Sequence, residues 1–74
     1  MEPELIETFL HNMAKMCIAK AARASQEGTA AAMATAVHNR GFAHGLLVAW
    51  SILHTGDTDA MRGEIERMEK EAGL

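Results

Sequence analysis

The chain has 74 residues, of which 49% are hydrophobic, a formal net charge of −3 and a single cysteine. A chain of this length forms one domain and buries only about 60% of the surface that its unfolded form exposes. The single cysteine, Cys17, excludes an internal disulfide. A domain this small therefore needs a metal or a partner chain to supply the rest of its stability.

The histidines do not have the spacing of a structural zinc site. No two of them are separated by three or four residues, and no Cys-x-x-Cys motif occurs. We therefore expect no metal and no cofactor, which leaves self-association as the source of the missing stability. The four histidines are His11, His38, His44 and His54.

The composition also argues against a secreted or membrane-spanning chain. The start, Met1-Glu2-Pro3-Glu4, is acidic, unlike a signal peptide. The most apolar run covers residues 46–53, whereas a membrane span needs about twenty residues. We expect a protein of the cytoplasm.

The charge is unevenly distributed along the chain. Residues 1–10 carry −3, residues 11–54 carry +3 and residues 55–74 carry −3. A weakly basic centre could accept a small anion, although it could equally be an ordinary solvated surface. Duplex nucleic acid requires a denser basic stripe, so we expect no direct binding to duplex DNA.

The first predicted helix covers residues 3–24. Pro3 suits a first helical turn, and nearby glutamates lie at the positive end of the helix dipole. At 100° per residue its apolar side chains fall within a sector of about 160°, as in an amphipathic helix. These residues are Leu5, Ile6, Phe9, Leu10, Met13, Met16, Cys17 and Ala21.

The second predicted helix covers residues 30–53, after a turn in which Gly28 ends the first helix and Thr29 caps the second. It has two apolar stripes and is expected to be the central element. The first stripe contains Val37, Gly41, Gly45, Val48 and Ile52. The second contains Phe42, Leu46, Ala49 and Leu53, with Trp50 at its edge. The remaining face carries Arg40, His44, Leu47, Ser51 and His54.

The third predicted helix covers residues 59–72, after a turn containing Gly56 and an N-cap at Asp57 or Thr58. Its apolar seam is narrow. The pattern predicts an all-α protein, in which an antiparallel helical hairpin is joined by a short amphipathic C-terminal helix. The seam residues of the third helix are Met61, Ile65, Met68 and Ala72.

A hairpin that turns near residue 27 pairs positions whose numbers sum to about 54. This register places Phe9 opposite Gly45 and Met13 opposite Gly41, so large side chains of the first helix would fill glycine notches in the second. The first helix would then cover the first stripe of the second helix. The third helix would cover part of the second stripe.

The second stripe holds more apolar surface than the third helix can cover. Such a surplus is typical of a protein that binds a partner. We therefore expect a homodimer with two-fold symmetry. The residues predicted to mediate self-association are Phe42, Leu46, Trp50 and Leu53.

The polar segment of residues 38–45 is the best candidate for binding a ligand or partner. Arg40 and His44 are i,i+4 neighbours, and Lys15 lies near His38 in the predicted register. A guanidinium group could hold a phosphate or carboxylate there, although a solvated helix face explains the same pattern. Leu47 and Trp50 complete the predicted binding set.

We expect no catalysis. Cys17 falls on the predicted buried face of the first helix, where a cysteine acts as a small core residue. Ser51 shares a face with His44 and His54, but no aspartate is placed to orient either imidazole. Two thin layers of helix also offer no deep pocket.

Residues 40–47, with the sequence RGFAHGLL, resemble a pattern common in very short helical accessory proteins of phages and mobile elements. The whole chain is similar in style, being short, rich in Ala and Met, and ending in a charged helix. Proteins of that kind include inhibitors of host defence, such as anti-CRISPR proteins, and sponges for cyclic nucleotides. The resemblance implies a phage-type inhibitor that acts in the host cytoplasm.

Three functions follow from these patterns. The first is a dimeric helical binding protein that inhibits or regulates a protein or ribonucleoprotein by covering its surface. The second is a sponge for a small anionic ligand, such as a nucleotide, bound near Arg40 and His44. The third is a structural or regulatory helical module.

Overall fold

The computed structural model describes residues 2–74 and consists of three α-helices, with no strand within that range. They are α1 (Pro3–Ser25), α2 (Ala30–Thr55) and α3 (Asp59–Ala72). The predicted all-α class is confirmed. Both ends of each predicted helix lie within two residues of the observed ends. The agreement is close because the signals that begin and end helices are local in sequence.

The turns between the helices follow the predicted capping chemistry. The Thr29 hydroxyl accepts a hydrogen bond from the Ala32 amide at 3.0 Å, which caps the start of α2. Gly56 has φ +86° and donates its amide to the Ile52 carbonyl, which ends α2. Before α3, Thr58 occupies the N-cap position without a side-chain cap hydrogen bond, and the Asp57 carboxylate accepts from the Asp59 amide at 2.9 Å.

Contacts at both ends show that α1 and α2 run antiparallel. Near the start of α1, Glu7 bonds His54 at the end of α2. The predicted register paired Glu7 with Leu47 and is therefore wrong at this end of the hairpin. At the other end, alanines from the end of α1 and the start of α2 pack together. This alanine cluster consists of Ala21, Ala24, Ala32 and Ala36.

The main core lies where α3 packs across the hairpin. Ile18 and Leu47 are its largest fully buried apolar side chains, although the sequence pattern placed both outside the predicted seams. Ala14 and Ala43 are also fully buried, and short side chains let the two helix backbones approach closely. The core residues are Ala14, Ile18, Ala43, Leu47, Ile65 and Met68.

The predicted glycine notches are wrong within a single chain. A Cβ atom added at Gly41 or Gly45 would meet no other atom within 4 Å. Phe9, the predicted knob, is 60% exposed, and Val37 is 69% exposed. The helices meet instead through their alanines, because two alanine faces exclude water without any protruding side chain. Met13, the other predicted knob, is half-buried.

The assignment of the α2 stripes must be corrected in the same way. Val37 and Ile52 of the first stripe are exposed, and so are Phe42 and Leu53 of the second. The face that the sequence left open toward solvent contains Leu47 and Ser51, both fully buried. The helix therefore buries the face with Ala43, Leu47 and Ser51 and exposes most of its bulky side chains.

The alanine interface predicts a difference between two identical substitutions on α2. Ala43→Leu adds bulk at a fully buried position and should lower the free energy of unfolding by about 1–3 kcal/mol. Ala34→Leu, at an exposed position of the same helix, should change it by far less. Urea denaturation followed by circular dichroism measures both. Equal destabilisation by the two substitutions would contradict the alanine interface.

Candidate functional site

Arg40 and His44, the centre of the predicted anion site, face α3. Arg40 is paired with the carboxylate of Glu69. His44 borders a shallow depression of about 400 Å³ whose lining includes the carboxylates of Glu66 and Glu69. An anion placed here would meet two negative charges, and it would have to compete with Glu69 for the guanidinium group.

The structure does not bring the other predicted binding residues to the same place. The His38 ring lies edge-on to Phe42, with 4.6 Å between ring centroids, on a different side of α2 from Arg40. Lys15 is exposed on α1. Leu47 is fully buried in the core and cannot contact a ligand, which corrects its assignment to the binding surface.

Trp50 lies in a polar cluster that joins all three helices. Its ring stacks on His54, with 5.0 Å between centroids, and is tilted against His11 at 5.4 Å. His54 Nδ1 lies 2.9 Å from a Glu7 carboxylate oxygen, and His11 Nε2 lies 2.6 Å from one of Glu64. Trp50 therefore belongs to this cluster and not to an open self-association stripe.

The electrostatics of the cluster centre on Glu64. The Arg67 guanidinium hydrogen-bonds its carboxylate at 2.5 Å and, together with the bond from His11, holds the pKa of Glu64 below its ordinary value. Partial burial opposes this shift. The same ion pair raises the pKa of Arg67. Glu64 thus accepts hydrogen bonds from Arg67 on α3 and from His11 on α1, and the bond from His11 connects the two helices.

The geometry gives this cluster a structural role. Each imidazole is held by a carboxylate, so both are already partnered. Ser51 is fully buried and donates its hydroxyl to the Asp57 carbonyl at 2.8 Å, so it stabilises the turn before α3. Cys17 is half-buried on α1. Across residues 2–74, no group of three or more His, Cys, Asp or Glu side chains is placed to hold a metal ion.

The sequence reasoning missed this cluster because its members are far apart in the chain. His11 and Glu64 are separated by 53 positions, and Glu7 and His54 by 47. Pairing Glu7 with His54 requires the correct hairpin register, and pairing His11 with Glu64 also requires the position of α3. None of the helices in the described part of the chain is both long and apolar enough to cross a membrane.

The most extensive feature of the surface is its exposed apolar side chains. They occur on α1 and α2, on the sides that neither the alanine interface nor α3 covers. Single exposed apolar residues are ordinary, whereas a set of this size on two adjacent helices is typical of an interaction surface. Its large members on these helices are Leu5, Phe9, Met16, Val37, Phe42, Ile52 and Leu53. Met33 is also exposed, but it lies apart from them near the start of α2.

A shallow apolar groove runs along α2 within this surface and has a volume of about 560 Å³. Gly41 and Gly45 form its floor, since neither carries a side chain and the space above each is open. The two glycines that were predicted to receive α1 therefore form an open surface. The groove is lined by Val37, His38, Gly41, Phe42, Gly45, Leu46 and Ala49.

Comparison with known proteins gives no relative. No family model, no curated protein and no solved structure matches the chain. The geometry of the surface is therefore the main basis for a function.

The polar cluster of Glu7, His11, Trp50, His54 and Glu64, called the Glu64 cluster below, should lose stability in acid. Because the folded-state pKa of Glu64 is lowered, its contribution is complete above the ordinary glutamate pKa and is lost as pH falls through the lower folded-state value. Glu64→Gln should therefore flatten the fall in melting temperature on acidification. Glu66→Gln, at an exposed position of the same helix, is the control and should leave that fall nearly unchanged. Identical pH profiles for the two variants would contradict the role of Glu64.

Proposed function

We propose that the chain is a non-enzymatic helical binding protein, which acts as a homodimer and inhibits or regulates a macromolecular partner by covering part of its surface. The partner is a protein or a ribonucleoprotein, and the compartment is the cytoplasm. The resemblance of residues 40–47 to short phage accessory proteins extends this proposal to a phage-type inhibitor of host defence, such as an anti-CRISPR protein.

One observation carries the proposal: the contact between α1 and α2 buries many small side chains, and many large apolar side chains of these helices remain exposed. Ala14 and Ala43 are fully buried, whereas Phe9 and Phe42 remain more than half exposed. Exposed apolar area of this kind favours aggregation unless a partner covers it. The open groove over Gly41 and Gly45 provides a concave position into which a protruding side chain of a partner fits.

The anionic-ligand sponge has less support. Arg40 is paired with Glu69, and further carboxylates line the depression beside His44. The third function, a structural or regulatory module, relies on the same exposed surface as the leading proposal. It differs only in whether the bound partner is inhibited.

The leading proposal is tested by comparing two substitutions of exposed apolar residues on α2. Val37→Glu places a charge in the groove, whereas Met33→Glu places the same charge near the start of the helix. Tagged protein is used to capture partners from the source cells, and the captured material is identified by mass spectrometry. A partner retained by the parent and by Met33→Glu, but lost with Val37→Glu, is the expected result. An identical set of captured proteins for all three chains would contradict the proposal.

A panel of nucleotides separates the two leading functions. A sponge would gain about 2.7 kcal/mol of stability when its ligand is present at one hundred times Kd. We expect no change in melting temperature with any member of the panel, because Arg40 already has a carboxylate partner. Stabilisation by a nucleotide that disappears in Arg40→Ala would instead support the sponge.

A further inference from the structure

Two partly exposed rows of apolar residues have the spacing of a helical bundle core. In each row the separations are four, three and four residues, which is the a/d spacing of a heptad repeat. Neither row is buried, since each of its members keeps some exposure to solvent. We name the two rows together the heptad face. Its residues are Ile6, Leu10, Met13 and Cys17 on α1, and Phe42, Leu46, Ala49 and Leu53 on α2.

Both rows lie on the side of the hairpin opposite α3. His11 bonds Glu64 of α3, and Arg40 pairs with Glu69, so these two residues mark the α3 side of α1 and α2. At 100° per residue, the centre of each row is about 130–150° around its helix from that mark. Ala14 on α1 and Ala43 on α2 belong to the core between the helices. On its own helix, each of them lies between the apolar row and the α3 side. In an antiparallel pair, this order places the two rows side by side.

The area available suits a stable dimer. Phe42 and Leu53 are 55% and 46% exposed, and Phe9, Met16 and Ile52 extend the apolar surface at the edges. With 150–250 Å² for each complete aromatic side chain, the face and its edges carry on the order of 600–800 Å² of apolar surface. A standard interface uses about 800 Å² from each partner. The whole chain exposes 4846 Å², against about 4450 Å² expected for a compact 8.0 kDa protein.

The charge pattern favours a second copy of the chain as the occupant. All eight residues of the heptad face are uncharged, although the chain has a net charge of −3. The eight residues themselves therefore bring no like charges into contact when two copies meet through them. An isologous contact also requires a surface that complements itself, and two parallel apolar rows on adjacent helices form half of a four-helix bundle core.

We propose that the heptad face binds the heptad face of a second chain, so that α1 and α2 of both copies form a four-helix bundle with each α3 on the outside. This assignment rests on the homodimer of the proposed function and specifies its interface. Within the bundle, Phe42 and Leu46 fill the space between the four helices. The alanine interface then holds each hairpin together, and the heptad face holds the two hairpins together.

The test is the mass in solution of the parent and of two variants, measured by sedimentation equilibrium at micromolar concentration. The parent should have about twice the 8.0 kDa chain mass. Phe42→Glu should sediment as a monomer with its helical circular dichroism retained, because Phe42 is already 55% exposed in the single chain. Met33→Glu replaces a residue that is 50% exposed elsewhere on α2 and should remain a dimer.

Cys17 supplies a second measurement that does not depend on a charged variant. It is the only cysteine and lies within the heptad face. Its rate of alkylation should fall as the parent is concentrated and should be independent of concentration in Phe42→Glu. An alkylation rate that concentration does not change in a dimeric parent would place the interface elsewhere.

The outcomes separate this interface from the proposed function. A monomeric parent overturns both the interface and the homodimer, whereas capture of a partner through Val37 would still support the binding function. A Phe42→Glu variant that remains a dimer overturns the interface alone. Loss of helicity in Phe42→Glu would also overturn it, since that residue would then be needed inside the single chain.

Discussion

The close contact between the alanine faces of α1 and α2 determines the rest of the structure. Ala14 and Ala43 are fully buried, and an alanine-only cluster continues the contact toward the turn. Side chains this short let two helix backbones approach closely, but they bury little apolar area for each residue. The hairpin therefore gains shape from this contact and comparatively little stability. Many of the large apolar side chains of α1 and α2 are left exposed.

The third helix covers the apolar surface of the α1–α2 hairpin on one side only. Ile65 and Met68 complete a core around Ile18 and Leu47, and the Glu64 cluster fastens α3 to α1. Arg40 adds an ion pair to α3, although its side chain is 48% exposed and such a pair contributes little. The opposite side of the hairpin has no corresponding element within the chain. A 14-residue helix can cover one face of a two-helix layer, and the second face stays partly exposed in the single chain.

The helices could be predicted from the sequence, whereas the register and the faces through which they pack were predicted wrongly, for a physical reason. Caps such as Thr29 and Gly56 act through bonds within a few residues, so the helix ends could be read locally. The register depends on which faces approach most closely, and large apolar side chains were taken as the guide. Because alanine is only weakly hydrophobic, the row of buried alanines did not stand out in the pattern of apolar residues. Leu47, which lies beside that row, was therefore assigned to an open face.

The candidate surfaces also contain features that the sequence could predict and features that it could not. Gly41 and Gly45 could be singled out from the sequence, because two helix-weakening residues in the middle of α2 are unusual. Their open position could not, because it follows from the register. The pairing of His11 with Glu64 joins residues 53 positions apart and left no local pattern. The self-association of Phe42, Leu46 and Leu53 stays a prediction; Phe42 and Leu53 are exposed in the single chain, and Leu46 is half-buried.

The groove and the heptad face share residues, which links their two proposed uses. Phe42, Leu46 and Ala49 belong to both, whereas Val37 and Gly41 belong to the groove alone. A second chain on the heptad face would cover one wall of the groove and leave its other wall open. A target bound in the groove would then meet both copies, and its affinity would differ between monomer and dimer. Because a ligand shifts an equilibrium by its differential affinity for the two states, target binding and dimerisation must influence each other. The sign of that coupling depends on whether the second chain completes the groove or closes it.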